Sequence, residues 1–222
     1  MTVLVGWSGG LDSTWAVWDL LQRGPVRAHH VCLFYMHRRF GALARDRDRV
    51  AAERAAVKAM AGWLRERGLE IALSFSAIDW GGSRLHIGDV EMVLPHLVNE
   101  ARGAAIAIGS NAGDYGGPDD DDPERRWTAL AGALGLYAPL PGPVLRHGKA
   151  LTRAEQIARM PPELVGMTMS CRRPRLVDGV WTPCGSRKRG PTPRNDGMAP
   201  CTCAALVDLL PRYANGWLKE ER

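Results

Sequence analysis

The chain has 222 residues, 45% of them hydrophobic, and a formal net charge of +5. That length suits one α/β domain with an appendage and leaves little room for a second full domain. The apolar run at the N-terminus is short and has no basic lead, so the sequence predicts no signal peptide, no membrane span and a cytoplasmic location.

Residues 2–6 read as a buried parallel strand, because their hydrophobicity is continuous rather than alternating. The string Ser8-Gly9-Gly10-Leu11-Asp12-Ser13 follows. After it, Trp15, Trp18 and Leu21 mark a helix running to Arg23, with Gly24-Pro25 as its stop and Asp12 or Ser13 as the expected cap. A strand, a small-residue turn and a helix start gather backbone N–H groups at a positive helix end, which favours phosphate. A tight turn alone needs only the glycines; the two serines and the aspartate add hydroxyl donors and a carboxylate. Neither G-x-G-x-x-G nor G-x-x-x-x-G-K-[ST] occurs there.

Residues 29–36 read as the second strand. From Asp46 to Arg67, Val50, Val57, Met60, Ala61 and Leu64 recur at helical spacing, and Gly68 ends the run. The arginines at 38, 39, 45, 47, 49 and 54 either solvate this helix or form a basic entrance for an anion. A third strand covers 69–75, and 76–88 has turn residues without a period. A helix over 89–102, despite Pro95, leads to a fourth strand at 104–109.

Strands alternating with helices predict a Rossmann-like, doubly wound parallel sheet, with ligands at the carboxyl ends of its strands. The loop Ser8 to Ser13 falls at such an end, and so does the segment from Ser110. Asp114 and Tyr115 follow the fourth strand directly and are candidate ligand-facing residues. Asp120 to Asp122 read as an acidic turn before a helix over 124–136. A fifth strand region is expected from Tyr137-Ala138-Pro139-Leu140. Thr152-Arg153-Ala154-Glu155 fits a capping box for a helix over 152–159, which Pro161-Pro162 should stop.

Five cysteines, an odd count, argue against a disulfide framework, and Cys32 in its apolar run reads as a core residue. Cys171, Cys184, Cys201 and Cys203, separated by 12, 16 and 1 residues amid glycines and prolines, are candidate ligands of a zinc ion. Between Cys171 and Arg194, seven basic residues face one acid, Asp178. This segment is either a solvated loop or a meeting place for phosphates or nucleic acid.

The loop at Ser8 to Ser13 resembles the S-G-G-x-D-S pyrophosphate loop of the ATP pyrophosphatases at every defined position. Further along, Ile108 to Asp119, Lys149, Met169-Ser170-Cys171 and Pro183-Cys184-Gly185 resemble the 7-cyano-7-deazaguanine synthase family. Two positions compete for the strand before Lys149, Pro139-Leu140 and Pro143-Val144, of which the second has the family's spacing. The chain departs from that family between Gly117 and Asp121, and by the basic insertion Ser186 to Pro200.

The resemblance implies an α/β pyrophosphatase domain over 1–165 and a cysteine-rich zinc-binding segment with a C-terminal helix over 166–222. It implies an ATP-dependent ligase converting 7-carboxy-7-deazaguanine and ammonia to the nitrile through an adenylated carboxylate. Ser8, Gly9, Gly10, Leu11, Asp12 and Ser13 would hold the pyrophosphate with Mg²⁺, Asp12, Ser13 and Lys149 serving catalysis. Asn111, Asp114, Tyr115 and Asp119 would contact the substrate, the four cysteines would bind Zn²⁺, and the chain would form a homodimer. Two rivals stand beside this reading. One is another adenylating enzyme of the same loop type, forming an amide or thiolating tRNA, with RNA bound by the basic insertion. The other is a non-catalytic ATP-binding component of a larger assembly.

Overall fold

A computed structural model describes residues 2–34, 43–79, 89–114, 121–134, 143–171 and 174–184, together with Leu206, Leu209 and Leu210. Strand β1 (Val3–Gly6) enters α1 (Leu11–Leu21), which leads through β2 (Val26–Phe34), α2 (Leu43–Glu66) and β3 (Ile71–Asp79) to α3 (Asp89–Ala101). Then come β4 (Ala105–Gly109), α4 (Asp122–Leu134), β5 (Val144–His147), α5 (Arg153–Ala158) and α6 (Pro162–Met167). Strands β6 (Arg175–Val177) and β7 (Val180–Thr182) form a separate antiparallel pair.

The central sheet has five parallel strands in the order β3-β2-β1-β4-β5. Successive residues of a strand point to opposite faces, and β1 shows it: Val5 joins one buried cluster and Leu4 the other. With Val5 pack Trp15 and Val17 of α1 and Val57, Met60 and Leu64 of α2. With Leu4 pack Leu94 and Leu97 of α3 and Trp127 of α4. Each of these large side chains, once fully buried, contributes roughly 2 kcal/mol of transfer free energy. Helices thus cover both faces, in a Rossmann-like arrangement.

The chain winds from β1 toward β2 and β3, then crosses to β4 and β5 on the other side. Strand order reverses between β1 and β4, which is where such sheets open a crevice at their carboxyl ends. Gly109 closes the floor of that crevice. A Cβ there would lie 2.4 Å from the Asp12 carbonyl oxygen and 2.4 Å from Ser13 Cα, so only glycine lets β4 end against the first turn of α1.

Several expectations shift. Strand β2 begins three residues before the expected 29, and β3 continues to Asp79 through Ser74 and Ser76. Their hydroxyls do not break the strand because both bond the His29 ring from the neighbouring one. The fifth strand is β5 at Val144–His147, while the region beginning at Tyr137 lies outside the described residues. Proline at 139, 141 and 143 lacks the ladder N–H, and the proline-free stretch after it supplies the pairing with β4. The helix before Pro161-Pro162 ends at Ala158, as expected, and Pro162 then opens α6, since proline is tolerated where the helical N–H has no partner.

The hairpin β6–β7 was not expected. Its signal is Asp178-Gly179, both at positive φ (49 and 78), the two-residue turn that suits the twist of paired strands. Beyond residue 165, Met169, Cys171, Leu206 and Leu210 are buried in the same cluster as Val5 and Trp7. No helix among the described residues is long and apolar enough to cross a membrane.

Candidate functional site

A cleft of about 520 Å³ opens at the carboxyl ends of β1 and β4. Ser8, Gly10, Leu11, Asp12 and Ser13 line one arm with Gly113, Asp114, Arg153 and Ser170. Gly6, His29, Val31, Leu33, Val90 and Val93 line the other, beneath α3.

The loop is held by its own hydroxyls. Ser8 N–H donates to Ser13 Oγ at 3.2 Å, Ser13 Oγ donates to the Gly10 carbonyl at 3.1 Å, and Gly10 N–H donates to Ser8 Oγ at 3.3 Å. Gly9 takes φ +83, which a side chain would strain, and a Cβ there would lie 3.1 Å from both the Glu53 carbonyl and Val57. The cap is Gly10, with no side-chain bond of its own, so Asp12 and Ser13 lie inside the helix instead of capping it. Within the described residues, the N–H groups of Gly9, Asp12 and Ser13 make no hydrogen bond. Unspent donors at a helix start are what an anion needs.

Arg153, the first residue of α5, reaches across to this loop. Its Nε and Nη2 donate to Asp12 at 3.3 and 3.1 Å, and Nη2 stands 3.8 Å from Asp114 Oδ1. Burial raises the Asp12 pKa above the ordinary carboxylate value, with Arg153 pulling the other way and Asp114 adding to the rise. Burial works against the Arg153 charge as well, but Asp12 and Asp114 outweigh it and raise its pKa.

Asn111 is buried, and its Oδ1 accepts from Gly113 N–H at 2.8 Å. Its Nδ2 comes near enough to Asp12 to favour the ionised carboxylate, yet falls short of hydrogen-bond geometry and has no other partner among the described residues. Asp114 Oδ2 accepts from Ser110 Oγ at 3.2 Å and from Asn111 N–H at 3.1 Å. Beneath this turn, Arg146 is 3% exposed and donates to the Asp114 carbonyl at 3.1 Å and to Ser110 Oγ at 3.3 Å. Gln156 Nε2 donates to the Ser110 carbonyl at 2.6 Å.

In the other arm, His29 is buried with Nδ1 2.8 Å from Ser74 Oγ and Nε2 2.9 Å from Ser76 Oγ. Burial lowers its pKa, so the ring is neutral at pH 7. Apolar Val31, Leu33, Val90 and Val93 share this side of the cleft with the charged Arg49, Glu53 and Asp89. Gly6 keeps the arm open beside Leu97 and Ile108.

The structure therefore gathers Ser8, Gly10, Leu11, Asp12, Ser13 and Asp114 around one cleft, with Asn111 behind them. Tyr115, Asp119, Cys201 and Cys203 lie outside the described residues. Lys149 is not in the cleft wall; its Nζ donates to Asp121 at 2.6 Å and to Glu124 at 2.8 Å. Those bonds, that to Asp121 foremost, raise its pKa. The positive charge beside Asp12 belongs to Arg153. Sequence reasoning passed over it because Thr152 to Glu155 is explained by helix capping, and the box does form: Thr152 Oγ1 accepts from Glu155 N–H, and Glu155 from Thr152 N–H. Capping and site chemistry share those four residues.

Cys171 is buried and borders the cleft, and Cys184 N–H donates to its Sγ at 3.2 Å. Among the described residues no group of three or more His, Cys, Asp or Glu side chains is placed to hold a metal. Asp12 and Asp114, 22% and 29% exposed, offer two carboxylates at the anion loop. That donor set fits Mg²⁺, which binds one or two carboxylates and takes its remaining ligands from phosphate and water.

Searches against protein-family models and against curated proteins found no match for this chain.

Proposed function

We propose that the chain is an ATP-dependent ligase of the pyrophosphate-loop type, which activates a carboxylate by transferring AMP to it. The observation that carries this reading is the loop Ser8 to Ser13 at the reversal point of the sheet, with the N–H groups of Gly9, Asp12 and Ser13 unspent and Arg153 beside them.

The charge balance supports a nucleotide that arrives with its cation. Asp12 and Asp114 set two carboxylates at the loop beside Arg153, and carboxylates repel a bare polyphosphate. Mg²⁺ on Asp12 and Asp114 would neutralise the phosphates and the charge developing on the leaving pyrophosphate. Arg153 would then leave Asp12 for a phosphate oxygen, and the loop N–H groups would receive the pyrophosphate as it departs. The apolar wall of Val31, Leu33, Val90 and Val93 beside His29 suits the base of the nucleotide.

Asn111 and Asp114 would face the acceptor. By the resemblance of Ile108 to Asp119, that acceptor is 7-carboxy-7-deazaguanine: its carboxylate attacks the α-phosphate, ammonia displaces AMP to give the amide, and a second activation dehydrates the amide to the nitrile. Asn111 Nδ2, a buried donor without a hydrogen-bond partner among the described residues, is the group on this side best suited to a carbonyl or ring acceptor. Cys171 and Cys184, with Cys201 and Cys203, would hold Zn²⁺ as a structural ion. Incubation with ATP, ammonia and 7-carboxy-7-deazaguanine, read by mass spectrometry, is expected to yield the nitrile with AMP and pyrophosphate. AMP and pyrophosphate formed at the same rate without any acceptor would overturn the ligase reading.

A further inference from the structure

The first N–H of α1 is capped by a residue 159 positions away in the chain: Leu11 N–H donates to Ser170 Oγ at 3.0 Å. Gly10, the residue at the cap position, contributes no side chain, and a Cβ on it would lie 3.1 Å from that same Ser170 Oγ. The neighbouring residue adds a second tie, since Met169 N–H donates to the Gly9 carbonyl at 2.8 Å. Leu11 and Met169 are both buried, and Ser170 is half-buried at the cleft wall. On its other side, Ser170 is joined to Cys171, whose sulfur accepts the Cys184 N–H.

From this arrangement we infer that Ser170 is a positioning residue for the anion loop, acting as the N-cap of α1 that the loop's own glycines cannot supply. This rests on the reading of Ser8 to Ser13 as the seat of the pyrophosphate. The physical reason is preorganisation. An anion at a helix start gains most when the N–H groups already point at it, and two glycines in succession leave that geometry free to relax. Ser170 and Met169 fix Gly9, Gly10 and Leu11 from outside the loop. The Ser170 hydroxyl also takes the Leu11 N–H, so the donors left for the ligand are those of Gly9, Asp12 and Ser13. Through Cys171, the cysteine segment is mechanically joined to the loop.

Ser170→Ala, Ser170→Thr and the unmodified full-length chain would be titrated calorimetrically with inorganic pyrophosphate plus Mg²⁺ and, separately, with ATP plus Mg²⁺. Amide exchange at Leu11 and the thermal midpoint would be measured on the same samples. Loss of an N-cap hydroxyl corresponds to about a fivefold change in an equilibrium, so Ser170→Ala is expected to bind both ligands about fivefold more weakly. Its Leu11 amide should lose protection while the helices of the opposite face keep theirs, and Ser170→Thr should restore both. Unchanged affinity in Ser170→Ala, or equal loss in Ser170→Ala and Ser170→Thr, would overturn the positioning role. If the unmodified chain binds neither ligand, the loop reading itself fails and this inference with it.

Discussion

Arg153 and Asp12 meet through two hydrogen bonds, Nε to Oδ1 at 3.3 Å and Nη2 to Oδ2 at 3.1 Å, across 141 residues of chain. The pair joins the helix after β5 to the loop after β1, and it holds the cation of the site on the carboxylate that a metal would need. On the proposed reading, Arg153 would pass from Asp12 to a phosphate when the nucleotide binds. Arg153→Ala is expected to weaken ATP binding tenfold or more, because a charge-assisted hydrogen bond contributes roughly 1.5–3 kcal/mol. Lys149→Ala removes a contact to Asp121 and Glu124 instead, and should change affinity about twofold at most. Calorimetric titration of both variants with ATP and Mg²⁺ checks the contrast, and equal losses would place both cations at the phosphates.

Asp12→Asn keeps the shape of the side chain and removes its charge. If Asp12 holds the metal of the nucleotide, AMP and pyrophosphate formation should fall by about a hundredfold or more. A variant working at the parent rate would exclude that role.

Gly109→Ala sets a methyl group 2.4 Å from two backbone atoms of α1, and backbone cannot swing aside as a side chain can. The expected destabilisation is about 3 kcal/mol or more, read from the urea midpoint, with the anion loop displaced along with it. Gly132→Ala, where nothing lies within 4 Å of the added atom, serves as the control and should be neutral or slightly stabilising.

His30 gives stability a pH dependence. Its Nδ1 is 2.8 Å from the Trp7 carbonyl, its Nε2 is buried without a partner among the described residues, and burial lowers its pKa from 6.5 to about 4. Between those values the unfolded chain binds the proton and the folded chain does not. Stability is therefore full above pH 6.5 and declines as pH falls toward 4, by roughly 3 kcal/mol for this group when the decline is complete. His29, lowered by burial as well, acts in the same direction. Denaturant midpoints taken from pH 7 to pH 4 should show this slope, and His30→Asn should flatten it.

Purified, reduced protein is expected to carry about one equivalent of zinc, and Cys171→Ser to lower that content together with the thermal midpoint. Elemental analysis of the two proteins decides it: zinc absent from the parent chain would remove the four-cysteine site.

The path from β1 through Ser8 to Ser13 into α1 was legible in sequence because it is local. A continuous apolar run, two glycines and a helical period each act within a few residues, and the same holds for the capping box at Thr152. The four strands before residue 110 were legible for the same reason, apart from their ends. The limits of β3 were not, since Ser74 and Ser76 look like a break until His29 on the adjacent strand supplies their partner.

By itself, then, the sequence determined an alternating α/β chain, a phosphate-suited loop after its first strand, and Asp114 at the end of its fourth. Tertiary structure alone decided which cation serves that loop, what caps its helix, and which buried groups hold Asp114 in place. Arg153, Ser170, Arg146 and Gln156 all act on residues more than thirty positions away. Their own neighbourhoods do not reveal those partners, because the direction of a hydrogen bond is set by where two distant segments come to rest.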